Sequence, residues 1–174
     1  MIKIIFLIFP FIACATVAET SATDETRWFG DAQPGWEGGE WRFRTSVYTR
    51  HYHPRPEHNN HQRLIGIEYR RDDAWLAGAA YFRNSFHQPT LYLYAGKEWL
   101  LWQHEHFRLR GSVTGGLIYG YRDEYRDKIP CNRHGVAPVV LPAVVLDYRQ
   151  LFMELQFLAA SGMLATVGFR YSPK

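Results

Sequence analysis

Cysteine is almost absent from this chain of 174 residues, with only Cys14 and Cys131 present. Cys14 falls within an expected leader, so a single thiol remains and no intramolecular disulfide can form. Long apolar runs are missing as well: no segment after the N-terminus approaches the roughly 20 uninterrupted apolar residues that a membrane helix requires. Excess charge is small, with a formal net charge of +3 and a pI near 8.9. That permits attraction to phosphorylated lipid and carries no nucleic-acid signature. Aromatic residues, in contrast, make up 16% of the chain, and membrane barrels concentrate Tyr, Trp and Phe in girdles at both interfaces.

The strongest pattern is an alternation over residues 107–121. Phe107, Leu109, Val113, Leu117, Tyr119 and Tyr121 occupy odd positions, and Arg108, Arg110, Ser112, Thr114 and Arg122 even ones. A strand built this way has one apolar and one charged face, and it exceeds the roughly five or six residues usual in soluble sheets. Similar segments bounded by turn residues are expected at 40–51, 61–71, 74–83, 89–99, 106–121, 135–148, 150–158 and 162–171. In the second, Ile65, Ile67 and Tyr69 oppose Gly66, Glu68 and Arg70; in the seventh, Met153, Leu155 and Phe157 oppose Glu154 and Gln156. The expected fold is therefore all-β, an eight-stranded antiparallel up-and-down transmembrane barrel whose charged inner face fills and pairs within the lumen.

Lys3 precedes the apolar stretch 4–12, and small residues follow at Ala13, Ala15 and Ala18. This predicts a secretory signal over residues 1–18. The surroundings of Cys14 make a poor lipoprotein box. Residues 19–39, interrupted by Gly30, Pro34, Gly35, Gly38 and Gly39, are expected to form an irregular interfacial segment carrying Trp28, Phe29 and Trp36. The barrel then occupies residues 40–174, about 156 residues being left after cleavage. An exported chain with barrel strands and no helical span is expected in a bacterial outer membrane.

The connections fall into two sets. With the N-terminus periplasmic, the loops at 53–60, 84–88, 123–134 and 159–161 face outward and gather His51, His53, His58, His61, Asn84, Ser85, His87, Asp123, Glu124 and Asp127 at one rim. His51 and Ser85 both lie where a strand meets an outer loop, and a histidine base beside a serine hydroxyl is the minimum equipment for moving an acyl group. Asn84 and Ser85 are also ordinary turn residues. The loop histidines without cysteine partners do not match the usual zinc patterns, and no metal or other cofactor is expected.

Two local stretches bring a family to mind. Tyr81, Phe82, Arg83, Asn84, Ser85 and Phe86, continuing from Pro89 to Ala95, Gly96, Lys97, Glu98 and Trp99, form the first; Ala137, Pro138, Val139, Val140, Leu141 and Pro142, then Leu146, Asp147 and Tyr148, form the second. Together they resemble the PagP family of lipid A palmitoyltransferases over roughly residues 42–171. The pseudomonad branch looks most similar, through His58, Asn59, Asn60, His61 and residues 122–130.

The resemblance implies a monomeric enzyme that takes palmitate from the sn-1 position of a phospholipid donor and places it on lipid A among the outer-membrane lipids. Its functional histidine maps to His51, with His53 as runner-up, and its serine to Ser85. The family's aspartate position holds Asn84, which cannot neutralise an imidazolium; Asn84 could orient a partner, Asp123 or Asp127 could supply the acid, or the histidine could act unaided. The family's acyl-chain ruler maps to Gly96. Pro138 and Pro142 offer no ladder N–H and imply a weakly paired sixth strand, through which an acyl chain enters laterally. A second weak point that the family has between its first two strands finds no proline in residues 63–68. Arg122, Arg126 and Lys128 are expected to meet a phosphorylated headgroup. Competing functions are a lipid A deacylase or phospholipase, using water as acceptor, and a non-catalytic barrel.

Overall fold

The computed structural model describes residues 39–173; the expected signal and interfacial segments lie outside them. Eight strands follow in sequence: β1 (Glu40–His51), β2 (Ile65–Arg70), β3 (Trp75–Arg83), β4 (Pro89–His104), β5 (Phe107–Tyr119), β6 (Val136–Tyr148), β7 (Leu151–Phe157) and β8 (Gly162–Tyr171). Each pairs antiparallel with its sequence neighbours, and β1 pairs with both β2 and β8, closing the barrel. Closure leaves no strand without a neighbour on either side. No helix among the described residues is long and apolar enough to cross a membrane.

Period-two patterning has the expected physical outcome. Outward positions such as Phe43, Ile65, Leu93, Leu117, Met153 and Phe169 are exposed apolar residues, a face that is stable against hydrocarbon and not against water. Trp41, Trp75, Phe107, Tyr148 and Tyr171 gather at the end carrying the short turns, where Trp41 packs edge-on against Tyr69 at 5.0 Å and the Phe107 ring lies tilted against Tyr148 at 4.8 Å.

The half of the lumen nearer these turns is filled by an ion network. Glu98 accepts from Arg42 at 2.6 Å, from Arg70 at 2.8 Å and from Arg110; Arg110 also reaches Asp147 at 2.6 Å, and Arg44 pairs with Glu154. Tyr94 donates to Glu68 at 3.1 Å. Such groups tolerate removal from water only when mutually paired. The other half is lined by Leu64, Ala80, Phe82, Ile118 and Leu164.

Several boundaries differ from those the sequence suggests. β2 begins at Ile65, four residues later than expected, because Gln62 and Asn59 are drawn toward the β3–β4 turn by Arg83 N–H donating to Gln62 O at 2.8 Å and Asn59 N–H donating to Ser85 O at 2.8 Å. β4 runs on to His104, past a bulge at Leu101. β5 ends at Tyr119, so Tyr121 leaves the alternation and lines the interior instead of the lipid face.

Two sections of wall are thin. β6 pairs with β5 along its whole length but with β7 only from Ala143 to Tyr148, so the stretch holding Pro138 and Pro142 has no β7 partner. The two prolines are four residues apart, and their missing donors fall on the same strand edge. Between β1 and β2 the ladder stops at Thr45 and Ile65, a break that the sequence did not lead us to expect. Side chains bridge it: Thr45 Oγ1 donates to Leu64 O at 2.7 Å, and Leu64 N–H donates to Ser46 Oγ at 2.9 Å.

Candidate functional site

His51 is the last residue of β1, and its inward direction depends on a bulge. Arg42 and Arg44 point inward at even positions; the β1–β8 register shifts between Ser46 and Tyr48, and beyond it the buried residues are Thr49 and His51. One extra residue has reversed the phase, which is the usual effect of a β-bulge. His51 is thereby buried against the β3–β4 turn.

Ser85 sits in that turn with its Oγ 2.8 Å from His51 Nε2, while His51 Nδ1 lies 2.9 Å from Asn60 Oδ1. An amide oxygen only accepts, so Nδ1 carries the proton and Nε2 presents its lone pair to the serine hydroxyl. Serine, imidazole and asparagine thus form a continuous chain of base, nucleophile and orienting group. Asn60 is fixed by Thr49 N–H, which donates to its carbonyl at 2.9 Å, and its neighbour Asn59 donates N–H to Ser85 O. The two adjacent asparagines hold the first loop to both halves of the pair.

Asn84 plays another part than the one expected of it. Fully buried, its Oδ1 accepts from Phe86 N–H at 2.9 Å and Gln88 N–H at 3.1 Å, and its Nδ2 donates to Gly120 O at 3.3 Å. Its side chain is committed to shaping the turn, and the orienting contact on His51 belongs to Asn60. The sequence held a signal for Asn60, its place in the run His58, Asn59, Asn60, His61, but nothing in the spacing shows which loop residue folds back. Neither Asp123 nor Asp127 bonds to His51 among the described residues; both lie in an exposed 3-10 helix.

The remaining histidines separate. The His58 ring stacks obliquely on His51, centroids 4.3 Å apart, and meets Phe86 edge-on. Partial desolvation and then the neighbouring His51 hold its imidazole below the ordinary value. His53 is exposed at the cavity mouth, and His61 faces Tyr48. No group of three or more His, Cys, Asp or Glu side chains able to hold a metal occurs among the described residues.

The His51–Ser85 pair opens onto a cavity of about 470 Å³ inside the barrel. Its walls include Leu64, Phe82, Ile118 and Leu164, its deepest lining residues are Arg44, Tyr92 and Gln156, and residues 138–141, in the β6 stretch without a β7 partner, form part of its side. Gly96 does not line it. On β4 Gly96 lies four residues beyond Tyr92, about 13 Å along the strand, and a Cβ there would come within 2.3 Å of Val113 O. Close strand approach, not a ligand, explains this glycine.

Of the expected cationic residues, only Lys128 lines the mouth, where Arg55 joins it. Arg122 lies over the Tyr119 ring at 5.6 Å and bonds through its backbone to Gln88, and Arg126 is exposed on the 3-10 helix.

No family model matches this chain, and no curated protein does. Among solved structures, the outer membrane protein Ail of Yersinia pestis, in a phospholipid bilayer nanodisc, is similar at a TM-score of 0.41 and 13% identity, over 78% of this chain and 100% of that one. That likeness is too remote to bear on function.

Proposed function

We propose that this chain is an acyltransferase of the bacterial outer membrane, moving a palmitoyl chain from a glycerophospholipid to lipid A, as its resemblance to the PagP family implies. The observation that carries the proposal is the Ser85–His51–Asn60 chain of contacts placed at the mouth of a largely apolar cavity. A hydrolase acting on water-soluble esters has no use for such a slot inside a lipid-facing barrel.

In this mechanism the sn-1 chain enters past Pro138 and Pro142, where β6 has no β7 partner, and lies along Leu64, Phe82 and Leu164. Its methyl end stops at Arg44, Tyr92 and Gln156, since going further means breaking the buried Arg44–Glu154 pair, which is costly. The ester is left at Ser85. His51 Nε2 removes the hydroxyl proton as Ser85 Oγ attacks, and later returns it to the departing glycerol oxygen. An acceptor hydroxyl of lipid A then takes the acyl group by the reverse steps, with Lys128 and Arg55 beside the mouth for its phosphates.

Mass spectrometry of lipid A from cells with and without the protein tests this. Gain of one palmitoyl chain is the expected result. Loss of a chain would indicate the deacylase, and no change a barrel without this activity.

A further inference from the structure

Tyr119 and Tyr121 are two residues apart, and on a continuous strand both would face lipid. Tyr119 does, but Tyr121 turns into the cavity beside Ser85. The break falls at Gly120, which has φ +149 and donates its N–H to Gly135 O at 3.0 Å. A Cβ at Gly120 would come within 2.3 Å of Thr90 Oγ1 and 2.6 Å of Pro89 O, so the reversal requires glycine. Two contacts then hold Tyr121 in place. Asn132 Nδ2 donates to Tyr121 O at 2.8 Å, and Asn84 Nδ2 ties Gly120 O to the turn that carries Ser85. The phenol ring lines the same cavity as His51 and Ser85 and meets Phe86, the residue next to Ser85, edge-on at 6.3 Å, and no carbonyl in the turns and loops of the described residues accepts the Ser85 backbone N–H.

We propose that Tyr121 is the side-chain half of an oxyanion hole whose other half is the backbone N–H of Ser85. The assignment rests on the acyl-transfer reading of the site. As Ser85 Oγ bonds to the ester carbonyl carbon, its proton passes to His51 Nε2 and the carbonyl π pair moves onto oxygen. That oxygen receives hydrogen bonds from the Tyr121 O–H and the Ser85 N–H. When the pair returns, the bond to the glycerol oxygen breaks and that oxygen takes the proton from His51. Donors aimed where charge develops are worth most in a water-poor site, because nothing has to reorient during the reaction. Burial holds the Tyr121 phenol above its ordinary value, with Ser85 opposing, so it remains a proton donor at neutral pH. Asn84 is accordingly a positioning residue that fixes nucleophile and donor relative to each other.

The test uses the full chain in phospholipid vesicles with lipid A, comparing wild type, Tyr121→Phe and a protein carrying 3-fluorotyrosine at 121. Transfer rate is measured together with the rate at which an alkyl fluorophosphonate labels Ser85. Both Tyr121→Phe rates should fall on the order of a hundredfold with donor KM little changed, while fluorotyrosine, which keeps the O–H, stays within about threefold of wild type. Tyr121→Phe at wild-type rates, in a protein whose wild type is active, overturns the oxyanion assignment alone. A folded wild type that neither transfers nor reacts with the phosphonate overturns the acyl-transfer reading and this assignment with it.

Discussion

Val47 bulges from the β1–β8 ladder four residues before His51, and this one extra residue turns His51 into the barrel. Without it, the even-numbered phase of Arg42 and Arg44 would continue and His51 would face lipid. Deleting Val47 should therefore abolish acyl transfer while leaving a barrel that still shifts mobility on heating in an electrophoretic gel. Retained transfer would show that the bulge does not aim the histidine.

The two asparagines should separate by mechanism. Asn60→Ala removes the acceptor that fixes the His51 tautomer and should lower kcat by about a hundredfold, the low end of what a positioned general base contributes, with thermal stability little changed. Asn84→Ala strands Phe86 N–H, Gln88 N–H and Gly120 O. It should lower both activity and the temperature at which the barrel unfolds. Equal melting temperatures for Asn84→Ala and wild type would contradict its structural role.

Chain-length selection should respond at the cavity and not at Gly96. Ala80 is buried and lines the slot. Ala80→Leu should shift transfer toward shorter acyl chains, since each methylene displaced from apolar surroundings forfeits about 0.8 kcal/mol. Gly96→Met should instead destabilise the β4–β5 contact at Val113 O. Acyl analysis of the modified lipid A distinguishes them, and a folded Gly96→Met enzyme transferring shorter chains would reverse the assignment.

Glu98 accepts from three arginines. Glu98→Ala leaves Arg42, Arg70 and Arg110 with one acceptor fewer, and breaking a buried pair costs about 3–5 kcal/mol. The variant should unfold at lower denaturant while keeping transfer under conditions where it remains folded, because Glu98 lies below the cavity. Denaturant titration in detergent alongside the transfer assay checks both halves.

Alternation made the strand count readable, and β1 and β8 occur over the residues it indicated, because one face of each strand meets an apolar surround and the other a filled lumen. What breaks alternation was harder to see. The bulge at Val47, the reversal at Gly120 and the short β7 beside β6 depend on pairing with neighbouring strands, which period-two counting does not register. His51 and Ser85 could be singled out because both lie where a strand meets a loop on the same rim. Asn60 and Tyr121 could not: one reaches the site through a loop held by Thr49 and Ser85, the other through a single glycine. The glycine at 96 was legible as a residue and misleading as a site, since close strand approach and a ligand wall both call for a missing side chain.

The most direct measurement of the account is product analysis with purified protein, a phospholipid carrying labelled palmitate at sn-1, and lipid A. The account predicts labelled, palmitoylated lipid A and lysophospholipid in equal amounts from wild type, and neither from Ser85→Ala or His51→Ala proteins that still fold. Labelled free palmitate in place of acylated lipid A, or transfer undiminished in the Ser85→Ala protein, would contradict it.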